Sequence, residues 1–382
     1  MTPLSPIRDN HLEHEASFIR FGDGASGAEV VETFGPLELE YAAIRRGCAL
    51  FDMPQRATIR VTGNDRLEFL NSMLTQELKG LAPGDSVRSF WLNRKGRIDA
   101  DLRVVHTQDT TWFDCDTLCA ERAVEALNGY LFAEDVTIEN ATDARHRLVM
   151  AGPTCADVLA SLGAQIPEDD GRCTLTAVGG ANVLIDRHRD TASPTYDLHM
   201  NIEDVAGVYA SILGVDPALR VKRAGWHAFN IARIEAGTPL YHLDFGPDSL
   251  PAETGVLRLR VDFKKGCYLG QEVVARMDAL GHPKQTLCAL RLPSADHPNP
   301  EHQPTTGAPV FAPDNDEQPI GAVTSSTRSP MLGDDIVCFA QLKWSHAQPG
   351  SSVRVMTGVG LSETEVRDGL AFYAPGDVQP AG

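Results

Sequence analysis

The sequence lacks long apolar runs, and no stretch approaches the ~18 consecutive apolar residues that a membrane-spanning helix needs. Its first ten residues are polar and include two prolines, so they do not show the basic and then apolar pattern of a secretory signal. We therefore expect no membrane partner, and we expect the protein to be cytoplasmic.

Positive charge is also scarce. Lysine and arginine together number 34, against 52 aspartates and glutamates, which gives a formal net charge of −18. A surface of this sign repels phosphate, so the composition argues against broad nucleic-acid binding. It does not argue against a small anionic ligand, provided that one region of the protein is locally basic.

The eight cysteines include no Cys-x-x-Cys pair, and only Cys115 and Cys119 lie close together in the sequence. No histidine follows this pair at the spacing of a zinc finger, so we expect no structural metal site. In a chain of this length without a signal peptide, we expect free thiols rather than a disulfide framework.

A length of 382 residues favours two or three domains. Short alternating strands and amphipathic helices are mixed as far as residue 285, which favours an antiparallel α+β fold. We expect a flexible N-terminal extension at residues 1–36, which are polar and glycine-rich, and a core at residues 37–285 with possible breaks near 145 and 225. Residues 286–382 are predicted to form a small β-barrel, because short strands alternate there with proline- and glycine-rich joints.

One segment, residues 258–284, is basic within this acidic chain. Its six basic and three acidic residues give a net charge of +3, which makes it a candidate anion site. At its centre Cys267 follows two lysines and lies between Gly266 and Gly270, which permit a tight turn. A helix predicted from Gln271 would follow the thiol, and its dipole and the lysines favour a reactive thiolate. The alternative is a buried cysteine that fills a turn.

The motif K-G-C-Y-x-G-Q-E followed by V-A-R is complete from Lys265 to Arg276. It resembles the signature of the YgfZ-type folate-binding proteins, which belong to the superfamily of the glycine-cleavage aminomethyltransferase. Residues 233–241 and 250–256 are similar to two further elements of this superfamily, R-L-E-A-G-x-x-L-Y and P-x-E-x-G. The resemblance extends over residues 37–360.

The resemblance implies a three-domain cloverleaf. In it, two interleaved antiparallel α+β subdomains and a C-terminal β-barrel surround a channel that holds tetrahydrofolate or another folate derivative. A reduced folate needs an acid near its nitrogens, apolar walls for the pterin and cations for its glutamyl tail. Asp101 matches the aspartate that faces the reactive nitrogens in the aminomethyltransferase. The alternative for Asp101 is a solvent-facing residue of an alternating strand.

The catalytic candidates are therefore Cys267 and Asp101. The residues that we assign to the folate site are Arg233, Tyr241, Glu253, Lys265, Tyr268, Gln271 and Arg276. Arg233 and Glu253 have an alternative interpretation as a buried ion pair at a domain junction. Residues 189–198 lack the Y-T-G-E motif with which the aminomethyltransferase binds the pterin edge, so we expect pterin recognition to differ.

Three functions are open at this point. The first is a tetrahydrofolate-binding protein that supports iron–sulfur cluster assembly or repair through Cys267, with iron–sulfur proteins or their assembly factors as partners. The second is a folate-dependent aminomethyltransferase or demethylase that transfers a one-carbon unit to tetrahydrofolate and depends on Asp101. The third is a non-catalytic folate-binding scaffold with an inert cysteine. In each case the small-molecule partner is a reduced folate, with or without a polyglutamate tail.

Overall fold

The computed structural model describes residues 4–22, 27–294 and 299–373. The α-helices in these ranges are α1 (Arg8–Glu13), α2 (Leu37–Arg46), α3 (Arg66–Met73), α4 (Thr117–Asn128), α5 (Cys155–Ser161), α6 (Val205–Leu213), α7 (Trp226–Glu235), α8 (Leu257–Arg260) and α9 (Gln271–Leu280). The strands are β1 (Ser17–Phe21), β2 (Ala28–Thr33), β3 (Cys48–Asp52), β4 (Arg56–Thr62), β5 (Ser86–Leu92), β6 (Ile98–His106), β7 (Thr111–Asp116), β8 (Thr137–Asn140), β9 (Arg145–Ala151), β10 (Cys173–Val178), β11 (Ala181–His188), β12 (Thr195–Asn201), β13 (Val221–Arg223), β14 (Gln285–Leu292), β15 (Pro309–Ala312), β16 (Asn315–Ser329), β17 (Asp335–Lys343), β18 (Ser352–Thr357) and β19 (Gly360–Glu365).

Two of the sheets are built from the first 223 residues. One is antiparallel with the order β5–β6–β7–β4–β8. The other has the order β10–β11–β12–β9–β3–β13 and is antiparallel except for the pair β13–β3. The consecutive strands β3 and β4 belong to different sheets, and β13 returns late in the sequence to pair with β3, so the chain crosses between the sheets. The mixed α+β fold predicted from the sequence is confirmed.

The third large sheet contains the C-terminal strands in the order β14–β17–β16–β15–β18–β19, and all its neighbours are antiparallel. Within residues 285–294 and 299–373, β14 and β19 form no ladder with each other. The two edges meet at an isolated bridge between Leu290 and Val366, beside which Arg367 N–H donates to Ala289 O at 3.0 Å. The structure therefore shows an open sheet where we predicted a barrel. Alternating burial identifies strands, but closure also depends on the tilt and stagger of the whole sheet.

Several predicted boundaries lie beside the ends of elements. The predicted breaks near 145 and 225 lie at the start of β9 and just before α7, and β14 begins at Gln285. The division into domains itself stays a prediction. No helix in the described ranges is long and apolar enough to span a membrane.

The segment for which we expected a flexible extension contains α1, β1 and β2 in its described part. His11 on α1 is fully buried, and its Nε2 lies 2.8 Å from Asp52 Oδ2 on β3. His146 Nε2 on β9 lies 2.5 Å from the other carboxylate oxygen. Burial alone would raise the pKa of Asp52, but the two histidines outweigh burial and hold this pKa well below its usual range. These contacts tie α1 to the second sheet.

Helix α7 carries two buried charges of opposite sign, two residues apart. Arg233 is 1% exposed and donates from Nη1 to Asp244 Oδ2 at 2.5 Å and from Nη2 to Ser325 Oγ at 2.7 Å. The carboxylate of Glu235 accepts a hydrogen bond from Arg45 Nη2 at 2.5 Å. Because Ser325 lies on β16 and Arg45 on α2, these bonds join α7 to the C-terminal sheet and to α2.

We expect Arg233→Met to lower the free energy of unfolding by about 3–5 kcal/mol, since it leaves Asp244 buried without its cation. The matched control is Arg60→Met, because Arg60 pairs at 3.8 Å with Glu139 and both of these side chains are about half exposed. That substitution should cost less than ~1 kcal/mol. Denaturant unfolding of both variants measures the difference. Equal losses would contradict a special role for the Arg233–Asp244 pair.

Candidate functional site

Residues 264–270, called here the cysteine loop, lie directly before α9. Cys267 in this loop is exposed, whereas the other seven cysteines, all within the described ranges, are buried. Helix α9 begins at Gln271, as the spacing of the motif predicted. Cys267 is therefore a solvent-facing thiol ahead of a helix and not a buried residue that fills a turn.

A lysine anchors one side of the cysteine loop. Lys265 Nζ donates to the backbone oxygens of Asn71, Leu74 and Gln76, each at 2.7 Å. These oxygens lie at and beyond the C-terminal end of α3, where the last carbonyl groups of a helix lack partners inside the helix. An ammonium group has three N–H donors, and here all three are used. Lys265 thus holds the loop and has no donor left for a ligand.

The other side of the cysteine loop is fixed by a close backbone approach. Gly270 has a φ of +81°, and a Cβ at this position would lie 2.8 Å from Asn93 O, in the turn between β5 and β6. Only glycine fits such a combination of positive φ and close contact without strain. The adjacent Leu269 N–H donates to Ser72 O of α3 at 3.1 Å. The loop is therefore held between α3 and the β5–β6 turn.

Three more predicted residues lie in or just after the loop. Gln271 Oε1 accepts from Tyr268 N–H at 2.8 Å, which closes the turn before α9. The Tyr268 ring is half-buried, with Lys265 Nζ 5.3 Å from its centre, and burial raises the pKa of Tyr268 to about 12. Arg276 is exposed on α9. Tyr268 and Gln271 thus shape the turn that carries Cys267, and Arg276 lies on the helix that follows it.

Asp101 lies on β6, in the first sheet. Its Oδ1 accepts from Arg260 Nε at 3.0 Å, and the two side chains are 8% and 5% exposed. Asp101 is therefore a paired carboxylate and not a solvent-facing one. On the neighbouring strand β5, Arg88 pairs with Asp190. Burial lowers the pKa of Arg88 to about 9, and the nearby guanidinium groups of Arg260 and Arg103 add to this effect. The surroundings of Asp101 are thus rich in cations.

The other three predicted folate-site residues have partners within the protein. Arg233 pairs with Asp244, so the interpretation of Arg233 and Glu253 as one ion pair is wrong. Glu253 Oε2 instead accepts from Leu250 N–H at 2.9 Å, and burial raises the pKa of Glu253. The hydroxyl of Tyr241 donates to two backbone oxygens at the start of β6, at 3.2 and 3.1 Å. Within the described ranges, the hydrogen-bond partners of these three residues all lie outside the cysteine loop.

The basic segment, residues 258–284, divides into internal and exposed cations. Arg258 and Arg260 pair with aspartates, and Lys265 binds the three carbonyl oxygens. The remaining basic side chains of the segment are exposed and form no ion pair within the described ranges: Lys264, Arg276 and Lys284. An anion can reach these three cations from solvent.

Sequence reasoning missed Arg260 and Arg88 as candidates. The net charge of the basic segment pointed to the neighbourhood of Arg260, but no local signal identified its partner 159 residues away. Arg88 is one polar residue of an alternating strand, and only the packing of the two sheets places Asp190 against it. In the part of the chain that the structure describes, no group of three His, Cys, Asp or Glu side chains is placed to hold a metal ion.

Comparisons with known proteins bear on the family and the fold of the chain. The family model described as the GCVT N-terminal domain matches residues 7–265. An aminomethyltransferase of Bacillus pumilus is 26% identical over 360 residues, 93% of this chain and 94% of that protein. One of Bacillus velezensis is 25% identical over 367 residues, with the same coverage. The crystal structure of glycine cleavage system aminomethyltransferase T from Bartonella henselae superposes with a TM-score of 0.85 at 23% identity, over 98% of each chain, which shows the shared fold.

We expect iodoacetamide to alkylate Cys267 before any other cysteine of the native protein at neutral pH. The other seven thiols are buried and react only after local opening, so their labelling should be at least about tenfold slower. Peptide mapping by mass spectrometry after short exposures measures this order. In the matched control, Cys267→Ser should stay unlabelled over the same time, and early labelling of a buried thiol would contradict the expectation.

Proposed function

Because the chain belongs to the GCVT N-terminal domain family, we propose that it is a tetrahydrofolate-dependent one-carbon transferase of the aminomethyltransferase type. The observation that carries the proposal is Asp101, a carboxylate held in one orientation by a buried arginine. Two relatives named aminomethyltransferase align over 94% of their own length, which supports a function of the whole chain and not of one part.

The described residues fit a reduced folate in their chemistry. Such a ligand needs an acid near its nitrogens and cations for its glutamyl tail. Asp101 provides the acid, and the exposed Lys264 and Arg276 provide cations that no acidic side chain of the described ranges neutralises. Tetrahydrofolate, when bound, would supply the nitrogen that accepts the one-carbon unit.

We assign different roles to the two members of the Asp101–Arg260 ion pair. Arg260 Nε donates a hydrogen bond to Oδ1 of Asp101, so in this scheme Oδ2 is the carboxylate oxygen that faces the ligand. An ionised carboxylate accepts a hydrogen bond from an N–H group and can take the proton that leaves a nitrogen as the nitrogen bonds to carbon. In this scheme Asp101 is the catalytic residue, and Arg260 is a positioning residue that acts through it.

Asp101→Asn and Arg260→Gln both break the same ion pair, so we expect similar losses of stability from the two substitutions. Only Asp101→Asn removes the proton acceptor, and we expect it to slow one-carbon transfer by about 10²- to 10⁴-fold. The loss in Arg260→Gln should be much smaller. The measurements are denaturant unfolding and methylenetetrahydrofolate formation with an aminomethylated lipoyl carrier protein as donor.

Two outcomes would contradict the proposal. Equal losses of transfer in both variants would mean that Asp101 acts only as a structural partner of Arg260. Calorimetry of the wild-type protein with tetrahydrofolate tests ligand binding separately from transfer. No heat and no thermal shift, with either the monoglutamate or a polyglutamate, would exclude a folate ligand.

The exposed Cys267 favours a second candidate function, support of iron–sulfur cluster assembly or repair by a folate-binding protein. The transfer scheme for Asp101 does not use this thiol, although the loop that carries it is anchored on both sides. Thiolates are the usual ligands of iron–sulfur clusters, so a thiol in this position suits contact with a cluster or its client protein. The cluster would then be cargo.

If the second candidate function is correct, Cys267→Ser should fail to restore iron–sulfur enzyme activity in cells that lack the protein, whereas Asp101→Asn should restore it. The reason is that the cysteine loop and the Asp101–Arg260 pair are separate groups of residues. Enzyme assays on extracts of complemented cells, with immunoblots for equal protein levels, measure this. Full restoration by Cys267→Ser would exclude a role of the thiol in iron–sulfur cluster assembly or repair. The one-carbon transferase and the non-catalytic scaffold would then be the remaining functions.

A further inference from the structure

An open groove runs along the outer face of α2, between this helix and residues 213–222. Its volume is about 480 Å³, and none of its lining residues belongs to the cysteine loop or to the Asp101–Arg260 pair. One of the apolar side chains in it, Leu39, is 53% exposed. The apolar residues that line the groove include Leu39, Ala42, Leu213, Val215, Pro217 and Val221.

The two faces of α2 explain why this groove is open to solvent. Leu39, Ala42 and Arg46 are spaced by three and four residues, so they share one face of the helix. The other face carries Tyr41 and Arg45, which bond to the buried carboxylate on α7. The hydrogen bonds from Tyr41 and Arg45 to Glu235 therefore fix the rotation of α2 about its axis. The face with Leu39, Ala42 and Arg46 is left towards solvent.

A close backbone contact joins the two walls of the groove. A Cβ at Gly47 would lie 2.8 Å from Arg220 O, so only glycine permits this approach. Cys48 N–H donates to the same oxygen at 3.3 Å. The groove is thus a feature of the backbone of the fold and does not need a ligand to form.

The charges around the groove are mainly positive. Arg46, Arg220 and Lys222 are exposed, and in the described ranges their side chains form no ion pair or hydrogen bond. Asp216 also lines the groove, but its Oδ1 already accepts from Ala218 N–H at 2.9 Å. In a chain of net charge −18, cations without acidic partners beside an apolar floor create a local attraction for anions.

We propose that this groove binds an amphiphilic carboxylate, a molecule with an aliphatic chain and one carboxylate head. The aliphatic chain would cover Leu39 and the other apolar lining residues, and the head would accept hydrogen bonds from both Arg46 and Arg220. The volume of about 480 Å³ lies within the range of small-molecule sites, roughly 300–1,000 Å³. A second cavity of about 450 Å³ shares Leu39, Leu213, Val221 and Lys222 with the groove. Because Glu13, Glu15 and Glu40 also line it, it suits the end of an aliphatic chain and not the carboxylate head.

Calorimetry with the full chain tests the proposal. The probes are decanoate and the cationic decyltrimethylammonium, both below their micellar concentrations, and the uncharged decanol below its solubility limit. We expect saturable binding of decanoate and at least about tenfold weaker binding of the other two probes. Arg46→Ala and Arg220→Ala should each weaken decanoate binding by roughly tenfold. Ala42→Trp should fill the apolar part of the groove and abolish decanoate binding. The control is Lys343→Ala, which removes an exposed cation on β17 and should change nothing.

Each alternative result has a defined meaning. Decanol binding as tight as that of decanoate would overturn the role of the cations. Decanoate binding that is unchanged in Arg220→Ala and Ala42→Trp would place the ligand elsewhere. If a synthetic peptide of alternating glutamate and leucine binds and decanoate does not, the groove is a docking site for an acidic protein segment, and the proposal is wrong.

Discussion

The assembled fold depends on the burial of two opposite charges on α7. Arg233 and Glu235 would each destabilise an apolar interior by several kcal/mol if they were unpaired. Glu235 pairs with Arg45, 190 residues away in the sequence. Arg233 pairs with Asp244, 11 residues away, and also donates to Ser325, 92 residues away on β16. No local segment can supply Arg45 or Ser325. The charges are therefore satisfied only when α7, α2 and the C-terminal sheet adopt one arrangement, which also sets the orientation of the exposed face of α2.

In the candidate site, too, cations bond to groups on other segments and so hold the chain in place. Arg260 and Lys265 lie five residues apart, and their charged groups tie one short segment to β6 and to the end of α3. Lys265, which we predicted as a ligand residue from the sequence, is therefore structural, and the exposed Lys264, Arg276 and Lys284 are the cations of this segment that a ligand can reach. The two catalytic candidates, Asp101 and Cys267, belong to different parts of this arrangement. This separation is why a transfer role and a thiol role can be tested independently.

Positive charge without an acidic partner is a local feature of this acidic protein. It occurs at the cysteine loop and again at the groove beside α2, although acidic residues outnumber basic ones by 52 to 34. Anions would be attracted to these places by nearby cations and not by the overall charge, so salt should weaken the attraction at both. The groove adds an apolar floor, which a folate tail does not need but an aliphatic chain does.

The sequence by itself determined what depends on short-range pattern: the mixed α+β class, the superfamily motif, and a glycine-flanked Cys267 before a helix at Gln271. Spacing and alternation carry this information because they report local geometry and burial. Tertiary structure alone decided that Arg233 pairs with Asp244, that Arg260 holds Asp101, and that the C-terminal sheet stays open. These features could not be predicted because a buried charge takes whichever partner packing brings near, and sheet closure depends on every strand together.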